Sequence, residues 1–434
     1  MAKTLEKSVI TCDMEGRIET FGDGSEMMFG YSKEEVIGKK RVSLFSPGQV
    51  VLQYVPTWLG IAATKGEYVG RTVFLRKNGQ PFAAEIRITP TYKDGVMSGF
   101  CGVTEELEGV SPKDAMPQIS LMTKIFTWLV ITRAPFLTAI IVPVLIGAAW
   151  VATLGLATPF PWDKFFIVLF AGITLHVAAN TFNDYFDWKS GSDPANNDYF
   201  LPYSGGSRSI ELGLVTERSL FAVASISLVI SAGLGLLLAL QSGWGVLVFG
   251  AIGAFCAFFY TAPPIRLAAR RGLGELAVGL NFGPLAVAGT VYALTGRATL
   301  ADFLAGVPIG LLTIAILWIN QFPDEAADRA TGKHNLVVVL GKARAAWGYV
   351  LLMLAAFGLV VYWTLVSGTL PIGALLILAG APLAYQASRV ILREYAQRSL
   401  VRANVATIKL HALAGTLMAA GILWSRAIGS LLGI

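Results

Sequence analysis

The stretch FFIVLFAGITLHVAANTFNDYFDWKSGSD, residues 165–193, runs from an apolar segment directly into acid. Residues 165–182 hold no Asp, Glu, Lys or Arg, and then Asn183, Asp184, Asp187 and Asp193 follow. A run of this length and composition suits a helix crossing about 30 Å of hydrocarbon. Asp184 and Asp187 are three residues apart, so they share one face of the helix end. Carboxylates gathered at a membrane edge are costly and point to a site rather than to packing.

The rest of the chain has the same character. Of 434 residues, 54% are hydrophobic and 14% are charged. The mean hydropathy is +0.61. Soluble domains carry about 25% charged residues, so much of this apolar surface is expected to face lipid. With this one included, spans are expected near 134–154, 164–183, 219–241, 244–260, 275–294, 302–322, 345–367, 371–391 and 405–425. Nine spans place the chain ends on opposite sides. Lys189, Arg208, Arg218, Arg266, Arg270, Arg271, Arg329, Lys333, Lys342, Arg344, Arg389, Arg393, Arg398 and Arg402 then share the N-terminal side, against Lys164, Arg297 and Arg426 on the other. The positive-inside rule makes the N-terminal side cytoplasmic. The start, MAKTLEKSVITCDMEG, lacks the apolar core of a signal peptide, which agrees with that orientation. The net charge of +6 belongs to these loops. No basic cluster interleaved with aromatics predicts a nucleic-acid partner.

A second acidic group ends the sixth span, in WINQFPDEAADRATGK. Asn320, Asp324 and Asp328 recur every four residues and line one helix face, with Glu325 and Arg329 beside them. Both groups fall at cytoplasmic ends, so they can meet. Two facing sets of carboxylates need positive charge between them. Hard oxygen donors without nearby His or Cys suit Mg²⁺, which binds a few carboxylates together with phosphate oxygens. Arg208, Arg266, Arg270, Arg271, Arg329 and Lys333 are the cations placed to hold the rest of a diphosphate. Cys12, Cys101 and Cys256 form no CxxC pair, and the three histidines are scattered, so neither a disulfide framework nor a zinc site is expected. His176, near two turns before Asn183, reads as a packing residue. His411 and Lys409, early in the ninth span, read either as interface residues or as contacts for an acceptor carboxylate.

Residues 1–108 are of another kind. GRTVFLRKNG and PFAAEIRITPTY alternate as half-buried strands do, and RKNGQ supplies a hairpin turn. YSKEEVIGK reads as a short helix capped by Ser32 with Glu35 completing a capping box. A link, residues 109–130, follows, and ISLMTKIFTWLVI within this region reads as an amphipathic helix on the membrane surface. Residues 131–434 form the membrane domain.

Two resemblances sharpen this reading. ITCDMEGRIETFGDGSEMMFGYSKEEVIGK and LRKNGQPFAAEIRITPTYKDGVMSGFCGVTEEL resemble the opening and closing segments of PAS domains. That implies an α/β sensory or interaction module, with a protein or a small ligand as its partner. No histidine precedes residue 176, so a His-ligated heme is not expected. From about residue 130 onward, NDYFDWKSGSD and DEAAD resemble the two aspartate motifs of the UbiA superfamily of membrane prenyltransferases. YTAPPIRLAARRGLGELAVGLNFGPLAVAGTVY and NQFPDEAADRATGKHNLVVVLGK look most like its 1,4-dihydroxy-2-naphthoate branch. The fold implied is a multi-pass α-helical bundle of about nine spans behind an N-terminal PAS-like domain, in the inner (plasma) membrane.

The resemblance implies transfer of an isoprenyl chain from a polyprenyl diphosphate to an aromatic acceptor such as 1,4-dihydroxy-2-naphthoate. Mg²⁺ would be held by Asp184, Asp187, Asp193, Asp324 and Asp328. Asn183, Asn320, Arg208, Arg266, Arg329 and Lys333 would bind substrate. Tyr260, then Tyr185, would shield the allylic cation. The tail would lie along LNFGPLAVAG, where Gly279, Gly283 and Gly289 are expected to allow close helix packing. Pro264 stands where quinone-type members often have lysine, and DYFLPYSGGSRSI replaces an arginine-rich segment of the naphthoate branch. A glycerol lipid, heme or chlorophyll-type acceptor is the alternative. A transporter or a membrane sensor is the more distant rival.

Overall fold

The computed structural model describes residues 7–154, 159–196 and 206–432. Residues 1–6 of the N-terminal segment and most of the DYFLPYSGG stretch lie outside the described residues. The chain divides into two compact units. Residues 1–131 and 208–216 form the first, and residues 132–207 and 217–434 form the second.

In the first unit, a five-stranded antiparallel sheet has the order β2-β1-β5-β4-β3. Its strands are β1 (Ser8–Asp13), β2 (Ile18–Phe21), β3 (Tyr68–Leu75), β4 (Pro81–Lys93) and β5 (Val96–Glu106). Helices α1 (Asp23–Phe29), α2 (Lys33–Val36), α3 (Gly48–Gln53) and α4 (Val55–Lys65) fill the connection from β2 to β3. The Ser32 backbone N–H donates to Glu35 Oε2 at 2.9 Å, closing one side of the expected capping box. The expected Asn-Gly turn joins β3 to β4, with Gly79 at φ +81°. The interior is filled with rings: Phe29 packs on Phe45 with centroids 4.3 Å apart, and on Phe74 and Phe82 at 5.8 and 5.7 Å. Helix α5 (Pro112–Ala115) and helix α6 (Leu121–Ile131) also belong here. On α6 the apolar side chains Leu121, Met122, Ile125, Phe126, Trp128 and Leu129 are exposed, while Thr123 and Thr127 are buried. The link and α6 group with the sheet in the first unit.

Among the described residues, the regular elements of the second unit are helices. Its elements are α7 (Thr138–Thr153), α8 (Trp162–Lys189), α9 (Ser192–Ala195), α10 (Glu217–Ser242), α11 (Gly245–Phe259), α12 (Leu273–Leu280) and α13 (Ala286–Thr295). There follow α14 (Leu300–Ala330), α15 (Leu336–Leu340), α16 (Lys342–Leu365), α17 (Ala381–Glu394) and α18 (Val401–Leu432). Among the described residues, eight helical segments are long and apolar enough to cross a membrane. The expected span at 244–260 is α11, of 15 residues, or about 22 Å. It falls short of full hydrocarbon thickness because Gly243, at φ +104°, turns the chain just before it. The count of nine is thus approximate. At the other extreme, α8 and α14 have 28 and 31 residues, about 42 and 46 Å. Both overshoot the hydrocarbon, and the aspartate motifs occupy the overshoot.

Glycines set the closest approach. A Cβ on Gly283 would stand 2.6 Å from Gly306 O, and one on Gly310 would stand 2.4 Å from Gly279 O. The segment from α12 to α13 therefore packs backbone to backbone on α14, as small residues allow within membranes.

Candidate active site

The two motif helices deliver their carboxylates to one place. Lys333, just beyond the end of α14, donates to Asp187 Oδ2 at 2.9 Å and lies 3.6 Å from Asp328 Oδ1. Ser192 Oγ reaches Asp328 Oδ1 at 3.4 Å, and Asn196 Nδ2 donates to Asp324 Oδ1 at 2.7 Å. Asp184 pairs with the Arg133 guanidinium and accepts from the Ser207 backbone N–H at 3.3 Å. Burial by itself would lower the Lys333 ammonium, but Asp187 and Asp328 hold it well above the usual lysine range.

The segment carrying Lys333 is fastened on both sides. Asn335 Nδ2 donates to Asp328 Oδ2 at 2.7 Å, while its Oδ1 caps α15 by accepting from Val338 N–H at 2.9 Å. The next N–H, of Leu336, donates to the buried Glu275 at 2.9 Å, which also accepts from Gln321 Nε2 at 3.1 Å. Each such bond to a charged group is worth about 1.5–3 kcal/mol and fixes the loop against the motif helix.

Two cavities meet here. A polar one of about 110 Å³ is lined by Asp187, Asp193, Asp324 and Asp328 with Arg133 and Lys333. A larger one of about 600 Å³ has apolar walls from α7, α8, α10, α11, α13 and α14, including Ala171, Leu175, Leu228, Leu285 and Ala286. Arg133, Phe136, Asn183, Tyr260, Leu317 and Asn320 line both. Tyr260 and the two motif asparagines therefore stand at the junction of an anionic chamber and a greasy one.

Other candidates stand elsewhere. Arg208 belongs to the first unit, where it pairs with Glu211 at 2.8 Å. Arg266 lines neither cavity, and its backbone is left-handed at φ +48°. Arg329 is largely exposed and holds Glu325 and the Val338 carbonyl. Tyr185 packs on Phe186 and Phe221, with centroids 5.1 and 5.0 Å apart, outside both linings. His411 is fully buried against Thr313 Oγ1 at 3.0 Å. His176 departs from the packing role: it lines the large cavity, and neither ring nitrogen has a hydrogen-bond partner.

Sequence reasoning missed Arg133, Glu275, Asn335 and Asn404, whose Nδ2 donates to Asn320 Oδ1 at 2.7 Å. Each is a single polar residue without a repeat or motif. The available signal was position, since Arg133 directly precedes the first span and Glu275 opens the fifth.

Among the described residues, no three His, Cys, Asp or Glu side chains converge on one point. Four aspartates facing two cations nevertheless leave the polar chamber net negative. Mg²⁺ is commonly held by one or two carboxylates, with phosphate and water completing its shell, so the residues fit that ion.

Residues 140–411 match the model of the UbiA prenyltransferase family. The chain belongs to the UbiA prenyltransferase family. Residues 6–105 match a PAS domain model. This protein is therefore a multi-pass membrane prenyltransferase with an N-terminal PAS domain. It is 29% identical to the 2-carboxy-1,4-naphthoquinone phytyltransferase of Synechocystis, over 69% of this chain and 93% of that one. It is 33% identical to the 1,4-dihydroxy-2-naphthoate octaprenyltransferase of Mycobacterium tuberculosis, over 62% of this chain and 86% of that one. A solved UbiA homolog from Archaeoglobus fulgidus, bound to GPP and Mg²⁺, shares the fold at a TM-score of 0.50 and 16% identity, over 69% of this chain and 99% of that chain.

Proposed function

We propose that this protein transfers an isoprenyl chain from a polyprenyl diphosphate to an aromatic quinone precursor of the 1,4-dihydroxy-2-naphthoate class. The observation that carries the proposal is the shared wall of the two cavities. An anionic chamber with Lys333 and Arg133 opens onto an apolar one through Asn183, Tyr260 and Asn320. A prenyl diphosphate has the same division, with a highly charged head and an apolar tail. The head belongs beside the aspartates and the tail beside Leu285 and Ala286.

Asp184, Asp187, Asp193, Asp324 and Asp328 would hold Mg²⁺, which when bound neutralises the charge growing on the leaving diphosphate. Lys333 and Arg133 are placed to contact the same oxygens. Tyr260 lines both cavities at the junction, and its ring would offer the allylic cation a π surface. The apolar walls exclude water that would quench a cation. The excess of arginine and lysine in the loops on this side supports a site on the inner face of the plasma membrane. The exposed apolar side of α6 suits the lipid interface just before the first span.

The PAS domain is the regulatory part. Ser207, whose N–H bonds Asp184, is followed in the chain by residues 208–216, which cluster with the first unit. A change of state there reaches the first motif along the backbone.

The test is prenyl transfer by purified full-length protein in lipid, with labelled geranylgeranyl or longer diphosphates, in Mg²⁺ and in EDTA. Naphthoate product in Mg²⁺ alone is expected. Product from 4-hydroxybenzoate instead would move the acceptor, and no metal-dependent turnover of any prenyl diphosphate would end the proposal.

A further inference from the structure

The large cavity is not uniformly apolar, and its polar groups fall into two kinds. On the α14 side the lining side chains Thr313 and Asn320 have partners, although Asn404 Oδ1 and His411 Nδ1 on α18 do not. Asn320 pairs with Asn404, and seven residues away Thr313 pairs with His411, so α14 and α18 are joined twice at the same interval. On α8 two lining side chains have unpartnered atoms. His176 is 6% exposed, yet neither ring nitrogen has a partner. One turn on, Asn180 Nδ2 is buried and also without a partner. Both residues line the cavity. The His176 ring is held edge-on by Phe282, with centroids 5.2 Å apart and planes at 82°.

A buried donor or acceptor without a partner is costly, and lipid tails do not relieve it. A cavity built only for an isoprenyl tail would carry aliphatic residues at these positions. We infer that His176 and Asn180 bind the polar ring substituents of the aromatic acceptor, and so select it. This rests on the prenyl-transfer reading above. The spacing agrees. His176 lies seven residues before Asn183, about 10 Å along the helix. A naphthoate acceptor carries its hydroxyl and carboxylate groups on the ring that reacts, so a ring seated between the junction at Asn183 and Tyr260 and this pair turns those groups toward Asn180 and His176. The chemistry agrees too. A neutral imidazole donates at one nitrogen and accepts at the other, and the Asn amide donates. Together they match a ring hydroxyl beside a carboxylate or carbonyl oxygen.

The experiment compares wild type, His176→Leu, His176→Gln and Asn180→Leu, each as the full chain in lipid. Three quantities are measured: KM for 1,4-dihydroxy-2-naphthoate, KM for geranylgeranyl diphosphate, and equilibrium binding of that diphosphate with Mg²⁺. His176→Leu is expected to raise the acceptor KM about tenfold while the diphosphate values stay within about twofold. His176→Gln, which keeps a donor and an acceptor, recovers most of the loss. Asn180→Leu acts in the same sense and less strongly. Retained diphosphate binding shows that the variants fold. An unchanged acceptor KM in His176→Leu, or an equal rise in both KM values, overturns this inference and leaves prenyl transfer standing. Wild-type inactivity toward every aromatic acceptor overturns the parent reading, and this one with it.

Discussion

The two units treat their interiors in opposite ways. The sheet unit closes Phe21, Phe29, Phe45, Phe74 and Phe82 into one cluster with tilted and edge-on ring contacts. The helical unit keeps a chamber of about 600 Å³ at its centre and buries carboxylates at its mouth. Removing atoms from a full interior costs stability, while adding atoms to a hollow one displaces a substrate. The same class of substitution should therefore read out as unfolding in one unit and as altered specificity in the other.

The largest expected effect is on the carboxylates. Asp184→Asn or Asp324→Asn should lower kcat by about a thousandfold or more, since each removes a carboxylate that would hold Mg²⁺ for the leaving diphosphate. Retained turnover in both variants, in protein that elutes as wild type does, would break the comparison at its chemical end. Next is Phe29→Ala, which empties part of the packed cluster and should cost the first unit about 3–5 kcal/mol. Hydrogen exchange in the full chain would report it as lost protection in β1, β4 and β5, with the spans unaffected.

A smaller effect comes from filling the chamber. Ala286→Leu should cut turnover with long polyprenyl diphosphates about tenfold and spare geranyl diphosphate, at a stability cost of at most about 1–3 kcal/mol. Equal loss with all donors would mean that the tail lies elsewhere. The smallest concerns the cysteines of the sheet unit. Burial pushes the Cys12 thiol up to about 11, so at pH 8 it should resist alkylation in the folded chain. Half-buried Cys101 should react first, as mass spectrometry after timed labelling would show.

The sequence made some of this legible and hid the rest for physical reasons. Spans are visible because lipid demands long apolar runs, and the motifs are visible because the helical period repeats their carboxylates. Asp187 and Asp328 fall on one membrane face by sequence alone, since both end long helices on the side rich in arginine. Their counter-ions were harder. Of six cations available in the loops, Lys333 stands in the chamber, while Arg329 turns to Glu325 and Arg208 to Glu211. A single residue carries no periodicity, so only three dimensions separate these outcomes. His176 is the sharper case: its identity is plain in the sequence, but its missing partners are a property of its neighbours.

One feature of the chain path changes how the PAS domain can be lost. The backbone passes between the two compact units three times, after residues 131, 207 and 216. Nine residues that belong to the first unit are therefore encoded inside the membrane half. An in-frame splice or a protease acting in the stretch 109–130 would not yield a clean catalytic half. It would leave residues 208–216 behind, stripped of partners such as the backbone at Gly48, which Leu212 and Leu214 overlie. Fusions of this kind are hard to undo by deletion alone, since a working descendant must also rewrite the loop after its first aspartate motif.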